Sequence, residues 1–501
     1  MEIIGGFVTL FSDGYALLFV LLAAWGGLLA GALPGLTTAA AIAMLVPVTY
    51  YLEPLWALIF LYVIGKSGRF GGSIAAILFN TPGTASAAAT QFDGHPLARQ
   101  GKAGKAMKVS TIASVTGDTL GELLLLFGAV FVASYTRKMG PPEYFAVYSM
   151  AFLIIGSVIG KSIVKGLLST LLGILVAMVG IDPITANERL NFGTIVLMDG
   201  FSLVPLLIGL FVVSEVFTRI EEGTSAGEGQ QIAARPKSKA DSRLSWEECK
   251  MCLPVIFRSS FMGAVIGILP GLGSSVSCFV AYGEEKRRAK RPELWGNGAI
   301  EGVAAPEAAN NAVSGPSMIP LLTLGVPGTT IAAMLMGVFM IHGIQIGPNI
   351  FVNSSELVYA LIASGFLGIL VYGLTGYFGS NLVGRLIAKA PLSIIYPLIF
   401  LLGFIAAYSV RSAFYDISMM CLFGIIGYAM RKLEFSPPAF IISFILARGA
   451  EEALRQSLLL SERGALIFLE RPLSLVFFGI GATVILLRAR TAFKKSRAQR
   501  M

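Results

Sequence analysis

A membrane-length apolar run that breaks at its own centre leaves a chain few ways to fold, and this chain does it twice. Residues 27–46 read GLLAGALPGLTTAAAIAMLV, with Pro34-Gly35 interrupting what would otherwise be one spanning helix. Residues 263–272 read GAVIGILPGL, with the same interruption at Pro270-Gly271, 236 positions on. Proline inside a helix removes a hydrogen bond and clashes with the preceding turn, at a cost of about 3 kcal/mol. The following glycine admits backbone angles that other residues avoid. At membrane depth the freed N–H and C=O groups are tolerated only against protein or a wet cavity.

That the setting is a membrane follows from the rest of the chain. Apolar runs of roughly 18 residues or more recur between residues 15 and 488, the signature of a polytopic protein. Of the 501 residues 55% are hydrophobic and 13% charged, roughly half the charged share of a soluble chain. No alternating strand pattern is present, so the spans are helices, about 12 by hydropathy. The N-terminal segment carries Glu2 and Asp13 but no basic region before its apolar run, and so does not read as a removable signal peptide. The net charge of +9 gathers outside the apolar runs, at Arg99–Lys108, Arg235–Lys239, Lys286–Arg291 and the tail. That is the distribution of cytoplasmic loops, not of a nucleic-acid surface.

Each apolar half has a second break, NTPGT at Asn80–Thr84 and GVPGT at Gly325–Thr329, which puts Pro82 and Pro327 245 positions apart. Two paired motifs in the same order indicate an internal repeat. The loop charges relate the halves. After the first break, VPVTYYLEP has no basic residue, whereas the equivalent YGEEKRRAKRPE has five. After the second break the bias reverses, with four in DGHPLARQGKAGKAMK and none in HGIQIGPNIFVNSSE. Equivalent loops then lie on opposite sides, an inverted-topology repeat. The expected fold is an all-α polytopic membrane protein of two such repeats with Pro-Gly broken or re-entrant helices. Its divisions are a first repeat over residues 1–220, a polar cytoplasmic linker over 221–250, a second repeat over 251–488 and a basic cytoplasmic tail over 489–501. Whether residues 15–50 cross once or fold back is left open.

Beyond each break a half-helix starts with free N–H groups and about half a positive charge at its mouth, which suits carboxylate oxygens. The opposite ends expose carbonyls that suit a cation. The solute-binding candidates are therefore Pro34, Gly35, Thr37 and Thr38; Pro82, Gly83 and Thr84; Gly271, Ser274 and Ser275; and Gly328, Thr329 and Thr330. Within EGVAAPEAANNAVSG, Asn310 and Asn311 join them as polar side chains in apolar sequence. The cation candidates are Asn80, Gly325 and Glu307. No other metal site is expected: Cys249 and Cys252 form a lone CxxC and His95 and His342 stand apart. Asp118 and Glu122 read as interfacial. A lone Pro-Gly is a kink, and the GxxxG pairs Gly27/Gly31 and Gly263/Gly267 read as close helix packing.

The strings GGSIAAILFNTPGTASAAATQFDGHP, GILPGLGSSVSCFVAYGEEKR, EGVAAPEAANNAVSG with LGVPGTT, and GYAMRKLEFSPPAFIISFILA together resemble the large membrane subunit of the tripartite tricarboxylate transporter family (TctA). The likeness covers nearly the whole chain. It implies a permease of the bacterial inner membrane, partnered by a small membrane subunit and a periplasmic solute-binding protein, taking up organic carboxylates by secondary transport. The family's Pro-Gly loops correspond to the four pairs above, its polar signature to Glu307 and Asn310-Asn311, and its acidic residue after the hairpin to Asp93. In HGIQIGP, Ile346 stands where the family pattern has proline. Importing a dianion against 100 mV costs about 4.6 kcal/mol, so at least two cations must accompany it. With two histidines and no acid evidently buried, sodium is the expected coupling ion, and no organic cofactor is expected.

Rival classes fare worse. GSVIGKS at 156–162 is one residue short of a nucleotide-binding loop, and neither HExxH nor GxSxG occurs. A stand-alone anion symporter, which would need no binding protein, and a non-transporting membrane scaffold or receptor stay open as alternatives.

Overall fold

The computed structural model describes residues 2–33, 36–160, 162–182, 184–222, 239–388 and 392–499. Pro34 and Gly35, and residues 223–238 of the expected linker, lie outside them. Among the described residues the only sheet is a two-residue antiparallel ladder, Gly180–Ile181 (β1) with Glu188–Arg189 (β2); everything else that is regular is helix. Among the described residues six helices are long and apolar enough to cross a membrane, and five shorter apolar helices accompany them. Several of the apolar runs are short helices meeting at breaks.

The first group comprises α1 (Glu2–Ser12), α2 (Gly14–Ala32), α3 (Thr38–Leu45), α4 (Pro54–Phe79), α5 (Ala87–Arg99) and α6 (Ala103–Thr136). Small residues let α2 lie backbone to backbone on α4. A Cβ on Gly31 would run into the carbonyl oxygen of Gly68, and one on Gly71 into that of Leu28, the close approach that GxxxG permits. Asp13 caps α2 by accepting from the N–H groups of Tyr15 and Ala16, and takes a 2.6 Å bond from Trp56 Nε1 at the start of α4. Thr38 of α3 covers Gly68, and Ile42 reaches Gly65, so α3 runs back along α4 towards its start. Residues 15–50 therefore fold back, which answers the question the sequence left open.

Between the groups lie α7 (Pro141–Val158), α8 (Ile163–Ala177), and α9 (Leu203–Ile208) with α10 (Ser214–Glu222), joined through a π-helical turn at Gly209–Val213. The second group comprises α11 (Trp246–Ile268), α12 (Gly273–Arg288), α13 (Ile300–Ala312), α14 (Met318–Leu324), α15 (Thr330–Ile341), α16 (Ile350–Asn353) and α17 (Ser355–Ala388). Here Gly263 and Gly267 of α11 meet the backbone of Ala309 on α13 and of Val313 just beyond its end. Helix α12 returns beside α11: Arg258 Nε donates to Glu285 across 2.8 Å, and Ser277 Oγ to the carbonyl of Ala309. The remaining helices, α18 (Leu392–Arg411), α19 (Phe414–Lys432), α20 (Pro437–Leu459), α21 (Ile467–Glu470) and α22 (Pro472–Gln499), lie outside this centre. Of the apolar window in α22 only 11% is buried, as suits a helix facing lipid.

The two long helices exchange places. Both α6 and α17 have 34 residues. Gly117 and Gly121 of α6 pack on Ala308 and Ala312 of α13, while Gly368, Gly376 and Gly384 of α17 pack on Val63, Phe70 and Leu78 of α4. Each thus lies against the central helix of the other group. Basic segments meet at one end, where Lys105 pairs with Glu248 at 2.6 Å and Gln100 Nε2 donates to the carbonyl of Asn297.

Candidate functional site

Both GxxxG helices receive a Pro-Gly loop at the same place. A Cβ on Gly83 would strike the carbonyl oxygen of Gly31, while one on Gly328 would crowd the carbonyl oxygens of Ser317 at 3.0 Å and Gly267 at 3.2 Å without overlapping them. At Gly83 only glycine allows backbone to approach backbone so closely. Gly83 N–H donates to the carbonyl of Gly72 at 3.4 Å, and Gly271 N–H to that of Gly328 at 3.0 Å. The latter bond joins the two loops of the second group, with Gly271 in the left-handed region at φ +81°.

The helix ends at these loops match as well. Asn80 ends α4 at φ 58°, ψ 20°, and Gly325 ends α14 at φ 68°, ψ 24°. Both are the left-handed stop that Gly and Asn tolerate. They expose different chemistry. Gln91 Nε2 donates at 2.7 Å to both the carbonyl and the Oδ1 of exposed Asn80, whereas Gly325 is buried. At the starts beyond the loops, Thr37 and Thr329 use their hydroxyls as caps, each accepting at 3.1 Å from Ala40 and Ala332 N–H. Thr84 Oγ1 accepts from Ala87 N–H at 3.3 Å and lies 3.0 Å from Ser86 Oγ. Pro82, Ser274, Ser275 and Thr330 are half-buried. Thr38 is buried, and its hydroxyl has no hydrogen-bond partner among the described residues.

Glu307 lies fully buried on α13. Ser73 of α4 donates to it at 2.5 Å, Ser114 of α6 at 3.0 Å, and Thr90 of α5 donates as well. Three hydroxyls from three helices converge on one carboxylate, a set suited to an ionised acid. Asn310 and Asn311 follow on the same helix, also fully buried. Asn311 Nδ2 donates to the carbonyl of Glu307 at 3.1 Å, while its Oδ1 and both polar atoms of Asn310 have no partner among the described residues. Asp93 plays a different part. It accepts from the N–H groups of Gly296, Gly298 and Ala299 and from Tyr282 Oη, pinning α5 to the start of α13.

The interfacial expectation for Asp118 and Glu122 is corrected. Both are fully buried, and Lys66 Nζ lies 2.7 Å from Asp118 and 2.6 Å from Glu122. Tyr62 Oη completes the shell of Glu122 at 2.8 Å and Tyr372 Oη that of Asp118 at 3.0 Å. The premise that no acid is buried falls with it. Sequence reasoning also passed over Lys66 and Arg69, although GKSGR at 65–69 sets two basic residues in the middle of an apolar helix. That signal by itself marks a functional position. Arg69 is 5% exposed and lines a small cavity with Tyr62, Ser314, Ser317 and Thr329, where the start of α15 meets the middle of α4. Among the described residues, no group of three His, Cys, Asp or Glu side chains is placed to hold a metal ion.

Residues 17–442 match the family described as the tripartite tricarboxylate transporter TctA family. The chain is 33% identical over 473 residues to a 52.8 kDa Agrobacterium vitis protein described as uncharacterized, from the region 3′ of ttuC′ at TAR-I; the match covers 94% of this chain and 92% of that protein. It is 32% identical over 239 residues to a second uncharacterized A. vitis protein, from the region 3′ of ttuC′ at TAR-II, covering 47% of this chain and 98% of that one.

Proposed function

This chain belongs to the tripartite tricarboxylate transporter TctA family, and from that premise we propose that it is the large permease subunit of a cation-coupled uptake system for carboxylic acid solutes. In this reading it sits in the bacterial inner membrane beside a small membrane subunit and receives its solute from a periplasmic binding protein. The observation that carries the proposal is the approach of one Pro-Gly loop in each group to its GxxxG helix, Gly83 to Gly31 and Gly328 to Gly267, with the start of α15 beside buried Arg69. A kinked structural helix has no use for two such loops per group, and broken helices facing one another are how secondary transporters present N–H groups to anions and carbonyls to cations.

The two groups are read as repeats of opposite orientation. In support, α2–α3 and α11–α12 both run out and back, and α6 and α17 exchange partners. The basic segments beside α6, α11 and α12 then mark the cytoplasmic face. Alternating access follows as rocking of one repeat against the other about a central site. The solute candidates remain the loop residues with Asn310 and Asn311; the cation candidates remain Asn80, Gly325 and Glu307. The buried acids make protons a second candidate for coupling beside sodium, because Glu307, Asp118 and Glu122 are all fully buried among the helices.

Uptake by cells carrying this chain with its two partner subunits, offered a panel of tricarboxylic, dicarboxylic and aromatic acids with and without a sodium gradient, tests the reading. Accumulation that follows the cation gradient and requires the binding protein supports it. Accumulation without a binding protein favours a stand-alone symporter, and none under any gradient favours a scaffold.

A further inference from the structure

We propose that Arg69 anchors a carboxylate group of the transported solute, with the first turn of α15 as the other wall of the cradle. The proposal rests on the permease reading and adds to it the residue that recognises the anion.

Arg69 is the odd member of the buried charges. Lys66, one turn away, is held by two carboxylates, and Glu307 by three hydroxyls. Arg69 makes no hydrogen bond or ion pair among the described residues, and its buried Nη1 has no partner. Leaving a buried guanidinium unpaired is among the costliest arrangements a protein interior can hold. The nearby acids are already engaged: Asp118 Oδ1 with Lys66 and Oδ2 with Tyr372, and Glu122 with Lys66 and Tyr62.

The cavity that Arg69 lines is closed on its other side by the start of α15. There Thr329 Oγ1 satisfies the N–H of Ala332, which leaves the N–H of Ile331, the other first-turn residue lining the cavity, without an acceptor inside the helix. One free backbone donor, the positive end of a 12-residue helix and a planar fork of guanidinium donors therefore border one space. A carboxylate matches that set in charge and geometry. The space is about 10 Å³, room for a single oxygen-sized atom. The form described is thus closed, and a whole solute enters only as α15 parts from α4, where Ile331 now packs on Gly65. Because α15 belongs to one group and α4 to the other, binding at Arg69 reports directly on their relative position.

The test uses the complete three-subunit system in proteoliposomes with radiolabelled citrate, succinate and benzoate, comparing wild type with Arg69→Gln and Arg69→Lys. For whichever acid wild type accumulates, Arg69→Gln should raise KM about tenfold or more, with partial recovery in Arg69→Lys. Should Arg69→Gln fail to reach the membrane, Ser314→Leu fills the same space while keeping the guanidinium, and should weaken uptake likewise. Solute-induced thermal stabilisation of the solubilised permease should shrink in parallel. Unchanged KM and unchanged stabilisation in these variants, with wild type active, overturns the assignment of Arg69 alone. Failure of wild type to accumulate any acid under any ion gradient overturns the permease reading and this proposal with it.

Discussion

Lys66 Nζ stands 2.7 Å from Asp118 Oδ1, an ion pair between α4 and α6 in which neither side chain reaches the surface. Glu122 shares the ammonium at 2.6 Å, so removing the lysine leaves two carboxylates facing each other in a dry interior. Breaking such a pair costs about 3–5 kcal/mol. Lys66→Met should therefore lower the melting temperature and yield of the purified protein, and adding Asp118→Asn and Glu122→Gln should restore much of the loss. Equal melting of Lys66→Met and wild type would show that the triad carries no such strain.

Gly83 and Gly328 make the second prediction. A side chain at Gly83 runs into the backbone oxygen of Gly31, one at Gly328 crowds the backbone oxygens of Ser317 and Gly267, and backbone cannot yield as a side chain can. Gly83→Val and Gly328→Val should abolish uptake while the protein still reaches the membrane. Gly283→Ala, which adds a methyl where nothing lies within 4 Å, is the control and should transport normally. Full uptake by either valine variant would remove these loops from the site.

The same contrast explains which parts of the site the sequence displays. Pro-Gly pairs and GxxxG spacing constrain backbone, and backbone constraint is written in residue type; hence Gly31, Gly83, Gly267 and Gly328 stand out in the sequence alone. The pairing of charges is different. Asp118 looks interfacial because its partner Lys66 is 52 residues away on another helix, and nothing local announces it. Glu307 stands out as an acid in apolar sequence, but Ser73, Thr90 and Ser114 come to it from three separate helices. Helix α4 is buried from Leu61 to Phe79, so it has no polar face whose period would have drawn attention to Lys66 and Arg69.

Glu307 gives the third prediction. Its two oxygens accept from three hydroxyls; an amide would present a second donor to at least one of them and leave a buried hydroxyl unsatisfied. Glu307→Gln should slow uptake by about tenfold or more, and if the carboxylate holds the coupling cation, the residual uptake should lose its dependence on the cation gradient. Wild-type cation dependence in Glu307→Gln would place the coupling site elsewhere.

Outside the spanning helices, Asp182 accepts from the N–H groups of Thr185 and Ile184 and pairs with Arg455 at 2.7 Å. The two backbone donors, then the arginine, hold its carboxyl well below the usual carboxylate range. A lowered folded value means the contribution is complete above the unfolded pKa of about 4 and is lost only as pH falls through the lower folded value. The loop at 180–200 should therefore resist proteolysis equally from pH 8 to pH 5. Any change of uptake across that window then reports on ion coupling and not on this loop. Cleavage that rises between pH 7 and pH 5 would break that separation.

Tyr51, at the return of the α2–α3 hairpin to the start of α4, and Leu294, between α12 and α13, are 75% and 48% exposed, and they test the opposed orientation directly. If the repeats are inverted, the two hairpins enter from opposite faces. The basic run Lys286–Arg291 assigns the second to the cytoplasm. With Cys249, Cys252, Cys278 and Cys421 replaced by alanine, Tyr51→Cys should react with an impermeant maleimide added outside spheroplasts, and Leu294→Cys only in inside-out vesicles. Labelling of both from one side would mean that the groups enter the bilayer in the same sense. The loops at Gly83 and Gly328 could not then face each other across a midplane, and a rocking mechanism about a shared site would have no axis to turn on.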